Sequence, residues 1–81
     1  MKVIPLKTKP QYFEMQLSDK KNFEVRKNDR SFKVGDILYL EEFYKDYTGR
    51  FIHVEVTYIL NNPEYCKDGY VVLGTRKRLD L

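Results

Sequence analysis

The spacing of hydrophobic positions changes character along the 81 residues. Behind Pro10, which suits the first turn of a helix, Phe13 and Leu17 stand four apart and Tyr12 and Met15 three apart, so residues 11–18 read as a short amphipathic helix. Ser18 and Asp19 tolerate the turn that ends it near Asp19. From Asn22 the period drops to two: Phe23 and Val25 point one way and Asn22, Glu24 and Arg26 the other, which predicts a strand with one buried face. Residues 27–33 are polar and read as a loop. Val34-Gly35-Asp36 then turns into residues 37–40, where apolar side chains on both parities predict a strand covered on both sides, as in a closed or nearly closed barrel. Residues 46–50 read as a turn in which Gly49 is free to take positive φ. The longest strand is expected over residues 51–60, with Ile52, Val54, Val56, Tyr58 and Leu60 on one face and His53, Glu55 and Thr57 on the other. Asn61-Asn62-Pro63 breaks it, Asp68-Gly69 marks another turn, and residues 70–75 form a last strand rich in β-branched side chains. Leu6 and its neighbours are a candidate N-terminal strand. Four or five short strands with one helix predict a mainly β (α+β) fold, a small curled barrel with a single short helix near its N-terminus.

Composition narrows this picture. With 42% hydrophobic and 15% aromatic residues, the chain has the makings of one domain, residues 1–81, around one core. A core this small needs most of its large side chains, so the seven Tyr and five Phe are expected mainly inside. Cys66 has no partner for an internal disulfide, and one Cys with one His, His53, cannot supply the four ligands of a structural zinc site, so neither metal nor cofactor is expected. No apolar run approaches the roughly 20 residues of a membrane span and no secretory h-region is visible, which predicts a cytoplasmic protein, monomer or weak dimer, without membrane association.

Charge is unevenly spread. The formal net charge is +3, but residues 20–33 hold six Lys or Arg against two carboxylates, whereas residues 34–68 hold three against seven. One basic side favours an anionic partner, nucleic acid or a nucleotide phosphate; the plainer alternative is a solvated lysine-rich surface. Within the basic segment, alternation puts Glu24 and Arg26 on one strand face about 7 Å apart by Cα, with Lys21 where helix gives way to strand. A carboxylate beside a guanidinium and an ammonium can hold a polar heterocycle, accepting from its N–H groups while the cations take carbonyl or phosphate oxygens. The alternative is an exposed ion pair worth under about 1 kcal/mol.

The run Tyr12-Phe13, then Lys21-x-Phe-Glu-x-Arg26-x-Asn-Asp-Arg30-x-Phe32-x-Val-Gly-Asp36-Ile-Leu, Tyr47-Thr-Gly-Arg50, Val56-Thr-Tyr-Ile-Leu60 and Gly69-Tyr-Val-Val-Leu-Gly74 resembles a short bacterial and phage subfamily grouped with the ASCH domains (activating signal cointegrator homology) of the PUA-like superfamily. The resemblance spans residues 10–74. It implies a PUA-like β-barrel with a helix beside its mouth, RNA-linked roles, and a cleft lined by the pattern Gly-x-Lys-x-x-x-x-Arg. Lys21 and Arg26 match that Lys and Arg, and Asp19 stands at the Gly. One ASCH branch hydrolyses the acyl amide of N4-acetylcytidine with that Lys, a Thr shortly after it and a distant acid. Here Glu24 occupies the Thr position, Asn22 follows Lys21, and the connection over residues 61–68 leaves little room for the insertion that carries the acid. Ile4 stands where the subfamily usually has a His.

The leading expectation is therefore a non-catalytic domain for RNA or a nucleoside-like ligand. Lys20, Lys21, Arg26, Lys27 and Arg30 would supply field and phosphate contacts, while Glu24 with Asn28 or Asp29 reads polar edges. The alternative is a small amidohydrolase on a modified nucleoside, or a weak ribonuclease, with Lys21 as nucleophile or base and Glu24 shuttling the proton. A third is a protein-interaction module using the acidic side. Tyr12, Tyr44 and Tyr47 are candidates to stack on bases. His53 is expected exposed, Cys66 unreactive in a loop, and Arg76-Lys77-Arg78 a frayed basic tail adding phosphate attraction.

Overall fold

Apolar residues on both parities at positions 37–40 make that segment the middle of the structure. The computed structural model describes residues 1–81, which form β1 (Val3–Thr8), α1 (Pro10–Leu17), β2 (Phe23–Lys27), β3 (Ile37–Tyr44), β4 (Asp46–Leu60) and β5 (Tyr70–Lys77). The strands build one curled sheet in the order β1-β3-β4-β5-β2, parallel only between β1 and β3. The fold is mainly β with one short helix, as the pattern predicts. Ile37, Leu38 and Leu40 are completely buried. Ile4, Leu6, Phe13, Val54, Val56, Val71 and Leu73 close around Leu38 and Leu40. No helix is long and apolar enough to cross a membrane.

The backbone ladder stops at β1 and β2, so it describes half a barrel. Side chains tie its two edges. Arg26, on β2, donates from Nη1 to the Lys7 carbonyl of β1 at 2.9 Å and from Nη2 to Thr8 Oγ1 at 3.1 Å. Beyond β2, the Lys2 ammonium donates to the carbonyls of Arg30 and Ser31 at 2.9 and 2.8 Å.

The helix ends on Asp19 at φ 60°. Asp19 N–H donates to Gln16 O and Lys20 N–H to Met15 O, a Schellman closure with an aspartate where glycine is usual.

Several local expectations are overturned. β2 buries the opposite face from the one its apolar residues suggest: Phe23 and Val25 are 44% and 54% exposed, and Glu24 only 3%. An edge strand can do this because polar partners wait beneath it, as described below. Residues 46–50 are not a turn but the start of β4. The chain reverses at Lys45, φ 65°, between the paired Tyr44 and Asp46, and Gly49, φ 92°, lies in a bulge opposite Glu42. A second bulge between Val56 and Tyr58 shifts β4 by one residue, which turns Tyr58 outward (64% exposed) and packs Ile59 on the core.

The aromatics are not mainly inside: of the twelve, only Phe13 is buried, and Tyr12, Phe23, Tyr44, Tyr47, Phe51, Tyr58 and Tyr65 are exposed. Aliphatic side chains fill the core instead, which leaves rings available on the surface. Nor is the basic tail frayed. Arg76 and Arg78 both pair with Glu55, Arg78 also with Asp80, and Lys77, inside β5, with Asp19.

Candidate functional site

Glu24 is the only carboxylate of β2, and it points into the protein beneath α1. Its Oε1 accepts from Arg26 Nε at 3.0 Å and Nη2 at 2.8 Å. Its Oε2 accepts from Lys21 Nζ at 2.6 Å and Gln16 Nε2 at 2.8 Å. Four charge-assisted or amide bonds occupy the lone-pair positions of the carboxylate, so the negative charge is buried but fully answered. Gln16 is anchored in turn by the Phe23 carbonyl and Thr75 Oγ1, both at 3.1 Å. No buried side-chain polar atom is left without a partner.

The cations are consequently fixed. Lys21 donates a second bond to the Phe23 carbonyl and stands 4.9 Å from the Phe23 ring and 5.8 Å from that of Tyr12, keeping one donor unused. Arg26 commits four of its five N–H groups and keeps one at Nη1. Both face a cleft of about 640 Å³, together with Lys7, Thr8, Lys9, Lys20 and Glu24, whose remaining wall is Tyr12, Met15, Phe23 and Val25. A cavity of that size with an apolar wall and converging cations suits a flat anionic or carbonyl-bearing ligand.

Residues 3–75 match the sequence model of a family described as "Domain of unknown function (DUF3850)". The chain belongs to that family. It is also 34% identical, over 73 residues, to the "Uncharacterized 12.9 kDa protein in GpA 3'region" of Escherichia phage P2; the match takes in 89% of this chain and 66% of that protein's length.

In this DUF3850 domain the residues singled out from sequence fall into two groups. Lys20, Lys21, Glu24 and Arg26 meet at the first cleft. Lys27, Asp29 and Arg30 line a neighbouring cleft, with Arg26 between the two. Asn28 lines neither; its N–H closes onto the Gly69 carbonyl. Tyr12 and Tyr47 each border a cleft, and Tyr44 does not. His53 is half-buried rather than exposed, packed against Tyr39 and Phe51 at 5.1 and 5.8 Å on the outer sheet face. Cys66 donates to the Leu60 carbonyl. Sequence reasoning missed Gln16, Thr8 and Thr75. For Gln16 a signal existed, since it stands three residues after Phe13 and next to Leu17 on the buried helix face. Thr8 ends β1 and Thr75 stands two residues before the end of β5, and nothing in the pattern brings those two places together.

Proposed function

We propose that this domain binds single-stranded RNA or a nucleoside-like ligand in the Lys21/Arg26 cleft, in the manner of an ASCH domain of PUA-like type, and does not turn it over. One observation carries the reading: a single buried carboxylate holds two cations at the wall of a cleft whose other wall exposes aromatic rings. A base stacks on Tyr12 or Phe23, while a phosphate or base carbonyl takes the free donors of Lys21 and Arg26 and the field of Lys9 and Lys20. Glu24 acts here by positioning the cations, not by reading the ligand's edge, because its acceptor positions are taken. The ASCH comparison gains support from Asp19, which holds positive φ where that pattern carries Gly, and from the way Lys21 and Arg26 serve one cleft. Proton shuttling by Glu24 would require one of its four bonds to break first, which favours binding over hydrolysis.

Fluorescence anisotropy of a labelled single-stranded RNA tests the proposal. With about four cations on phosphates, the log–log salt dependence of affinity has a slope near −3. Lys21→Ala and Arg26→Ala each weaken binding about tenfold or more. Acylated cytidines incubated with wild type and Lys21→Ala are expected to turn over at the same background rate. Absence of detectable affinity for RNA and for nucleotides at low salt would overturn the reading.

A further inference from the structure

Two clefts meet at one ridge. The second, about 560 Å³, lies across Arg26 from the first, and Lys7 and Arg26 line both. We infer that the pair forms one track for two successive nucleotides of a single strand, with the linking phosphate on the Lys7–Arg26 ridge. This rests on the binding reading above and extends it from a base-sized site to a dinucleotide step.

The ridge is where β1 and β2 touch, through the bond from Arg26 Nη1 to the Lys7 carbonyl. Its unused donor is the remaining Nη1 proton of Arg26; the Lys7 ammonium, which has no hydrogen-bond or carboxylate partner, rests 4.6 Å from the Phe43 ring and 5.7 Å from that of Tyr47, on the second cleft's side. A phosphate on the ridge accepts from Arg26 without displacing a hydrogen bond and draws the Lys7 ammonium off the two rings, so the protein keeps its seam and gains a ligand. Each cleft has the volume of a small-ligand site. The second also repeats the composition of the first. Tyr47 is half exposed and braced edge-on by Phe43 at 5.1 Å, a fixed ring for stacking. Lys27 and Arg30 supply charge, and Glu41, which has no ion-pair or hydrogen-bond partner, offers the free acceptor for base N–H groups that Glu24 does not.

Calorimetric titration with a nucleoside monophosphate, a dinucleotide and a trinucleotide, as RNA and as DNA, tests the track. The dinucleotide is expected to bind about tenfold tighter than the mononucleotide, in line with one added base stack, and the third nucleotide to add less than about threefold. Tyr47→Ala and, as an independent exposed variant, Arg30→Ala remove most of the dinucleotide gain and leave mononucleotide affinity unchanged. An uncharged methylphosphonate link also removes the gain. Equal affinity of mono- and dinucleotide, or a gain indifferent to Tyr47, Arg30 and the linking charge, overturns the track while the first cleft stands. Failure of every ligand to bind overturns both. Equal RNA and DNA affinities assign the site to single strands in general, and an RNA preference assigns it to the 2′-hydroxyl as well.

Discussion

Glu24 stands where the packing of β2 meets the cleft proposed to bind the ligand. A carboxylate 3% exposed survives on β2 because Lys21, Arg26 and Gln16 all bond it. Removing one member of a buried charge cluster costs about 3–5 kcal/mol when the orphaned charges stay dry. Lys21 and Arg26 keep 15% and 21% of their side-chain surface, so part of that loss is recovered by solvation. Glu24→Ala is therefore expected to lower the unfolding free energy by about 2–3 kcal/mol, with Glu24→Gln intermediate, read from urea midpoints. Unchanged midpoints in both would remove Glu24 from the centre of the network. A second residue-scale test concerns Asp19 at φ 60°. Glycine accepts that conformation and alanine does not, while both lose the Lys77 ion pair, so Asp19→Gly should exceed Asp19→Ala in stability by about 1 kcal/mol. Alternation along the chain was enough to put Glu24 and Arg26 on one face. It could not say that this face is the inner one, because that depends on Gln16 and Thr75, brought in from elements 8 and 51 positions away.

Among the elements, the helix and four strands were legible wherever apolar periodicity was strong, and boundaries failed where the chain departs from regular pairing. The alternation that starts at Ile52 runs unbroken as far as Tyr58 and fails at Ile59, an apolar residue on the polar parity and the one mark within β4 of the bulge that reverses Tyr58 and Ile59. A second trace lies on the opposite strand. Gly74 interrupts a β-branched run, and a Cβ there would meet Thr57 Oγ1 at 3.0 Å and Tyr58 Cβ at 3.3 Å. Gly74→Val is accordingly expected to cost about 1–3 kcal/mol, the usual toll of overpacking, with Thr57→Ala restoring part of it. Thermal melts of the two single variants and the double variant decide this; a Gly74→Val protein as stable as wild type would mean that the bulge relaxes freely. The turn at residues 46–50 was misplaced for a related reason. Gly49 does take positive φ, but in a bulge, while the reversal falls on Lys45, a residue without turn chemistry of its own.

Across the whole molecule, charge is used in two ways that composition alone does not separate. Cations near Lys21 and Arg26 gather at clefts, whereas Arg76 and Arg78 form a clamp with Glu55 and Asp80 that fastens residues 76–80 to β4. Glu55 accepts from Arg76 at 2.9 Å and Arg78 at 2.8 Å, and Asp80 accepts twice from Arg78. Hydrogen bonds from Arg76 and then Arg78 hold Glu55 below the ordinary carboxylate value of 4.5. Asp80 is held at about 2, chiefly by Arg78 and then by its own backbone N–H. Both groups therefore bind protons more readily unfolded than folded, so acid favours unfolding. Their stabilisation is complete above the unfolded values, 4.5 and 3.8, and drains away as pH falls through the folded ones, to about 2 for Asp80. Melting temperatures of wild type and a Glu55→Gln/Asp80→Asn double variant between pH 7 and pH 2 test this clamp. The wild type starts higher and falls more steeply below about pH 4.5, and the curves converge near pH 2, because the variant has no clamp charge left to lose. Curves that stay parallel over the whole range would mean that the ion pairs of the chain end contribute nothing to holding it down.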